Sequence, residues 1–254
     1  MRVYAVINMK GGVGKTISSV NIAHILAAVH GKRVLLVDCD KQGNASKHFG
    51  VYTYETASLT DVLTIKNYSA AAAIQPTPHE DLHILPANMT LLKANKDILL
   101  DVSRPQQTRL QKALAGLDEV YDYCVIDCAP DINMSTINAM VAAHAILVPL
   151  VIDKYAFDGL AEFIDQMEGL QEFNPRLYVM GAFATMTRAD SVNAGGIAWL
   201  RENSPIPMFD TTIRARAAVV KTTYTGDPLL VYAPKCAATQ DYIALVGEIL
   251  QREM

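Results

Sequence analysis

Short, continuous apolar runs alternate with longer amphipathic stretches along this chain. Val3-Tyr4-Ala5-Val6-Ile7, Val34-Leu35-Leu36-Val37 and Ala145-Ile146-Leu147-Val148 contain no polar residue that could face water. A strand of that kind is buried on both faces, as in a parallel sheet covered by helices. Strands are predicted near 2–8, 33–38, 82–86, 122–127, 145–151, 177–185 and 207–210. Helical spacing fills the gaps, over about 15–30, 88–100, 106–117, 134–143, 156–172, 191–203 and 237–252. This alternation predicts an α/β fold, a doubly wound and mostly parallel sheet flanked by helices. Ligands should then sit beyond the C-terminal ends of the strands. Residues 51–81 are the least regular, with Ala70-Ala71-Ala72-Ala73 followed by Pro76-Thr77-Pro78, and are expected to form a surface excursion. No composition shift or repeat marks a second unit, so 1–254 is expected to be one domain.

Composition narrows the function classes. Hydrophobic residues make up 51% of the 254 positions and charged residues 19%, which supports a sizeable core and argues against disorder. The net charge of −4 excludes a uniformly basic nucleic-acid binder, so any DNA contact must come from a local patch. Cys39, Cys124, Cys128 and Cys236 form neither a C-x-x-C pair nor a zinc spacing. They are expected to be free thiols, mostly buried, in keeping with a reducing cytoplasm. No apolar stretch reaches the ~20 residues that span a bilayer. The first strand begins at residue 2 or 3, so neither a signal peptide nor an N-terminal helix-turn-helix extension is expected.

The chemistry starts after the first apolar run, at Lys10-Gly11-Gly12-Val13-Gly14-Lys15-Thr16. A helical pattern follows at Val20, Ile22, Ala23, Ile25 and Leu26. Strand, glycine loop and helix together make a phosphate cradle. Glycines let backbone N–H groups turn inward as an anion nest, and the helix N-terminus adds its positive dipole end. Lys15 can reach the β- and γ-phosphates, and the Thr16 hydroxyl can ligate Mg²⁺. The candidate nucleotide-binding set of this loop is Lys10, Gly11, Gly12, Val13, Gly14, Lys15, Thr16 and Ile17. The usual pattern would place glycine at position 9, which is Met9, and a second lysine, Lys10, opens the loop. Asp38 and Asp40, two apart at a strand's C-terminal end, face one side. One can hold the metal's water shell and the other can orient the attacking water. Asp127 ends another apolar strand and is the expected metal-side carboxylate.

The K-G-G-x-G-K-T loop resembles the deviant Walker A box of the ParA/MinD/nitrogenase-iron-protein class of P-loop ATPases. Asp38-Cys39-Asp40-Lys41-Gln42-Gly43-Asn44 is similar to switch I of ParA-type members, with Lys41 where proline is usual. Tyr121-Asp122-Tyr123 through Asp127-Cys128-Ala129-Pro130 resembles their Walker B segment, with Asp131 in place of proline or a small residue. Leu85-Pro86-Ala87-Asn88, Val148-Pro149-Leu150 with Tyr155-Ala156-Phe157-Asp158-Gly159-Leu160, Gly226-Asp227-Pro228-Leu229 and Tyr232-Ala233-Pro234-Lys235 extend the likeness over nearly the whole chain.

The resemblance implies a P-loop NTPase fold and a slow, Mg-dependent ATPase. Lys10 would cross a dimer interface to the partner's nucleotide, and Lys15 and Asp40 would act in hydrolysis. Thr16, Asp38 and Asp127 would serve the metal. It implies an ATP-dependent homodimer that binds DNA non-specifically to partition a plasmid, chromosome or mobile element. Hydrolysis, stimulated by a ParB-like or other protein, would release it. The protein would be cytoplasmic, nucleoid-associated when ATP-bound, and not membrane-bound.

The segment Ile213–Thr223 departs from the family pattern: Arg214 replaces the proline near the adenine, and Lys221-Thr222 replaces an E-A pair. Arg214, Arg216 and Lys221 are the DNA-binding candidates, with a helix placing Arg214 and Lys221 on one face; an ordinary solvated face is the alternative. Arg188 belongs either to that surface or to the nucleotide-base loop. Rival readings on the same core are a MinD-like positioning ATPase, a nitrogenase-type iron protein, a cobyrinate- or dethiobiotin-type amidoligase, and a DNA clamp with negligible turnover.

Overall fold

The computed structural model describes residues 1–153, 164, 167, 169–170 and 172–253. The helix predicted over 156–172 and the Tyr155–Leu160 motif lie, but for a few positions, outside the described residues. Seven strands form one sheet: β1 (Arg2–Val6), β2 (Val34–Cys39), β3 (Gln75–Pro76), β4 (Leu82–Leu85), β5 (Tyr123–Cys128), β6 (Ala145–Val151) and β7 (Tyr178–Thr185). Their order is β3-β4-β2-β5-β1-β6-β7, parallel throughout except where the short β3 pairs antiparallel with β4. The predicted doubly wound sheet is therefore observed.

The strands' two-residue period divides the core between two faces. Val3, Ala5, Leu35, Val37, Cys124 and Ile126 point to one face; Tyr4, Val6, Val34, Leu36 and Val125 point to the other. The first face is covered by α3 (Leu59–Thr64), α4 (Thr90–Leu100), α5 (Arg109–Leu114), α6 (Met134–Ala142) and α7 (Ser191–Asn203). The second is covered by α1 (Lys15–Ala28), α2 (Asn44–His48), α9 (Leu229–Tyr232) and α10 (Ala237–Gln251), with α8 (Ala217–Thr225) at its rim. Helix α1 is buried almost all round, the mark of a central helix. Its Val20, Ile22, Ile25 and Leu26 are at most 1% exposed, each contributing roughly 1.5–3 kcal/mol of burial. Gly31, at φ +60°, turns the chain out of α1.

Three expectations needed correction. Residues 207–210 are not a ladder strand: Met208 makes one parallel bridge to Ala182, and Pro207 has no N–H to extend it. The helix predicted over 106–117 is confined to Arg109–Leu114 and followed by a 3-10 turn. The excursion over 51–81 carries α3 and β3, and Leu59 and Leu63 are fully buried. Helix α3 escaped notice because six residues give too little periodicity, although Ser58 and Asp61 form a capping box.

Candidate nucleotide site

The phosphate loop joins the C-terminal end of β1 to α1, with its left-handed turns at Gly12 (φ +76°) and Gly14 (φ +86°). A side chain at either position would be strained, so the loop requires glycine there. The loop is held from outside. The Thr185 hydroxyl at the end of β7 lies 2.9 Å from the Val13 carbonyl and 3.1 Å from that of Leu150. Asn8 donates to Pro149 O and accepts from the Lys10 amide, tying the loop's entry to β6.

The two lysines diverge. Lys15 folds back over the loop, its Nζ 2.8 Å from Lys10 O, and is buried. Burial pushes its ammonium down from the ordinary value, while the Asp127, Asp40 and Asp131 carboxylates pull it up. Lys10 points away from the loop to an ion pair with Asp153, just beyond β6, and stays 43% exposed.

Parallel registry places Asp38 opposite Asp127 on neighbouring strands. Both are fully buried. Asp127 accepts a hydrogen bond from the Ser19 hydroxyl at 3.0 Å, and the Thr16 hydroxyl beside it also favours its charged form. Its other oxygen has no hydrogen-bond partner among the described residues. Burial, then the facing Asp38 charge, pushes the Asp127 carboxyl up to about 8. Burial raises Asp38 to about 6, although Ser46 donates to it from both amide (2.8 Å) and hydroxyl (2.7 Å). An orphaned buried carboxylate oxygen, set beside a threonine hydroxyl at the helix start, suits a hard divalent cation with its water shell. Thr16 and Asp127 therefore fit the predicted metal role directly. Both Asp38 oxygens already accept hydrogen bonds, from the Asp40 amide and Ser46, which places it behind them. Among the described residues, no three His, Cys, Asp or Glu side chains converge to hold a metal unaided. The expected buried thiols are seen for Cys39, Cys124 and Cys128, with Cys236 half-buried.

Asp40 caps its own loop, accepting from the Gln42 amide at 2.9 Å while its carbonyl accepts from Gly43. Gly43, at φ +62°, then starts α2. The two departures in the switch segments meet: Lys41 Nζ is 3.2 Å from Asp131.

A cavity of about 210 Å³ opens beside the loop, lined by Gly14, Ile17, Met186, Arg188, Ile213, Arg214, Arg216 and Tyr242 among others. Its wall combines an apolar face with three guanidinium side chains, suited to a flat heteroaromatic ring and its sugar. Arg188 lines this cavity and also a second one with Asp190 and Arg214. The predicted helix through Arg214 is corrected: α8 begins at Ala217 with Arg216 as its N-cap. Arg214 lies before it, in a bridge to Thr187, and grips Asp241 on α10 through Nε (2.9 Å) and Nη2 (2.6 Å). Arg214 and Arg216 line the cavity, whereas Lys221 is exposed on α8. Sequence reasoning missed Thr185, Met186, Asp153 and Asp241. Only Met186 has a distinctive backbone, φ +55°, and nothing in the sequence signals it.

Residues 1–179 match the family model described as "AAA domain". The chain is 36% identical to the chromosome partitioning protein ParA of Caulobacter vibrioides, covering 100% of this chain and 95% of that protein. It is 30% identical to the sporulation initiation inhibitor protein Soj of Bacillus subtilis, covering 98% of both. Among solved structures, a cobyrinic acid a,c-diamide synthase from Mycobacterium smegmatis with bound ATP analog and magnesium superposes with a TM-score of 0.86. That pair is 29% identical, over 100% of this chain and 95% of the other.

Proposed function

The chain belongs to the ParA/MinD class of P-loop ATPases, and from that membership we propose that it is an ATP-driven dimerising switch that partitions DNA. It is a Mg-dependent ATPase of the ParA type. The observation that carries the proposal is the divergence of its two loop lysines. Lys15 closes on its own loop, while Lys10 leaves it and ends at an exposed ion pair. A lysine so placed would reach a facing subunit's phosphates by exchanging Asp153 for them. There it would neutralise charge much as an arginine finger does.

Within one subunit the loop amides and Lys15 hold the phosphates. Asp40, fixed by the Gln42 and Gly43 amides, orients the attacking water. Thr16 and Asp127, backed by Asp38, would hold Mg²⁺, which supplies charge neutralisation at the β- and γ-phosphates. The loop that carries Asp40 leads into α2, whose Ser46 is bonded to Asp38. Helix α2 in turn meets the end of α8: a Cβ at Gly226 would come within 2.6 Å of His48 O. A shift at Asp40 on loss of the γ-phosphate thus has a packed route to the helix bearing Lys221, the arrangement of a nucleotide switch. Lys221 would meet DNA phosphates, in a salt-dependent contact released after partner-stimulated hydrolysis.

The test is mass in solution with a slowly cleaved ATP analogue. The wild type should dimerise and the Lys10→Ala variant should stay monomeric; a dimer undiminished in the variant would sink the switch. Lys221→Glu should weaken binding to non-specific DNA and flatten its salt dependence, by about one ion in the slope.

The Mycobacterium smegmatis neighbour supports a second reading, an amidoligase. Turnover that requires glutamine and a carboxylic acid, and ignores DNA and partner, would favour it. A MinD-like membrane role is less well supported. The Leu245, Val246 and Ile249 stripe of α10 is fully buried in the core, and no described helix is long and apolar enough to cross a membrane.

A further inference from the structure

Two loops leave the C-terminal ends of neighbouring strands at the nucleotide site, one from β2 and one from β5. Both depart from the family pattern, Lys41 standing for proline in the first and Asp131 for proline or a small residue in the second. The fold brings the two replacements together, with Lys41 Nζ 3.2 Å from Asp131 Oδ2. A purely structural clasp would leave few polar groups unused. Here, among the described residues, Lys41 Nζ has Asp131 as its one acceptor for three N–H donors, and Asp131 Oδ1 is buried with no hydrogen-bond partner.

The backbone of Lys41 is fixed while its ammonium is lightly held. It sits in a turn closed by the Gly43 amide on Asp40 O, with the Gln42 amide on the Asp40 carboxylate, each at 2.9 Å. Lys41 thus directly follows the carboxylate assigned to the attacking water. Asp40 and Asp131 both act on the charge of Lys15, the lysine that serves the β- and γ-phosphates, so the ion pair lies on that side of the loop. Asp38, Asp40, Asp127 and Asp131 already crowd this end of the sheet, and Lys10 is turned away to Asp153. A γ-phosphate adds more charge of the same sign. The Lys41–Asp131 pair, with side chains 27% and 47% exposed, is weakened by water. A phosphate oxygen offers the ammonium a charge-assisted bond, and water can take its place on Asp131 Oδ2.

We propose that Lys41 reads the γ-phosphate of its own subunit's nucleotide: it rests on Asp131 in the empty and diphosphate states, and exchanges that carboxylate for a γ-phosphate oxygen in the triphosphate state. The exchange unties the β2 loop from the β5 loop only when a triphosphate is present, which gives the switch segments a local trigger. This rests on the reading of the glycine loop as an ATP site and is separate from the role of Lys10 across a dimer.

The assay is equilibrium binding of Mg·ADP and of a slowly cleaved Mg·ATP analogue, by competition with a fluorescent ADP derivative. A Lys10→Ala background and dilute protein keep dimerisation from adding to either affinity. There, Lys41→Ala should weaken analogue binding at least about tenfold and leave ADP binding within about twofold. Lys41→Arg should restore part of the loss. Asp131→Asn, which removes the competing carboxylate, should tighten analogue binding and not ADP binding. Both positions are partly exposed, so these variants keep the fold, with Tm within a few degrees of the parent's. An analogue-to-ADP ratio unchanged in Lys41→Ala overturns the proposal, as does an equal loss for both nucleotides. So does a loss in Asp131→Asn that matches the one in Lys41→Ala, which would make the pair a clasp between the loops. Binding of neither nucleotide by the parent would take down the phosphate-loop reading and this one with it. The ratio is read on monomers, so a wild type that fails to dimerise would sink the switch without altering this result.

Discussion

Replacing Asp127 by asparagine should make the nucleotide-free protein more stable, and increasingly so as pH rises. The Asp127 carboxyl is fully buried, one of its oxygens is unpartnered, and Asp38 faces it across the sheet. Its folded value of about 8 lies well above the ordinary 3.8. Between those values the unfolded chain has given up the proton and the folded chain has kept it. The unfolded state therefore binds fewer protons, and stability falls as pH rises through this window. At about 1.4 kcal/mol per unit, the gap corresponds to on the order of 5 kcal/mol, fully developed above about pH 8. Asparagine has no proton to lose, keeps Oδ1 as acceptor for the Ser19 hydroxyl, and relieves Asp38 of a facing charge. Urea unfolding followed by circular dichroism, in EDTA without nucleotide, is the assay. At about pH 8.5 the variant should gain several kcal/mol, on the order of 10 °C in Tm, and at about pH 5 little. Mg·ADP should stabilise the wild type more at high pH than at low, and lose most of that effect in the variant. A wild-type stability that stays flat from about pH 6 to 8.5 would refute the reasoning, as would an asparagine variant no more stable than its parent.

Two further outcomes follow from the switch segments. Asp40→Ala should abolish phosphate release while retaining an ATP-bound dimer, measured by phosphate release and light scattering; unchanged release would remove Asp40 from its role and favour the non-hydrolysing clamp. The Lys41–Asp131 pair is only partly buried, with side chains 27% and 47% exposed, so its coupling should be about 0.5–1 kcal/mol. Lys41→Ala and Asp131→Ala should show that coupling in a double-mutant cycle of urea unfolding, and strict additivity would mean the pair does not act as one.

Much of the site was legible from residues alone. Gly12 and Gly14 are glycines because their φ angles are positive, and Lys15 and Thr16 open the helix that follows, where bound phosphates would need them. The strands that deliver Asp38 and Asp127 announced themselves by unbroken apolar runs, since both faces of a parallel strand are covered. Less was legible where the signal is non-local or too short. Helix α3 has six residues, and α9 four, too few for a period. Arg214 looked like part of a basic helix because its partner, Asp241, is 27 residues away on α10.

Local rules thus determined the phosphate loop, the alternation of strands and helices, and the family to which the chain belongs. They act within a turn or a strand, where backbone geometry and hydrophobic period leave few alternatives. Tertiary structure alone decided the charges' partners. The sheet order brings Asp38 across from Asp127, Lys41 meets Asp131, and Lys10 meets Asp153 rather than its own loop. Coulombic and hydrogen-bonding energies depend on separation in space and on burial, and neither is a function of position along the chain.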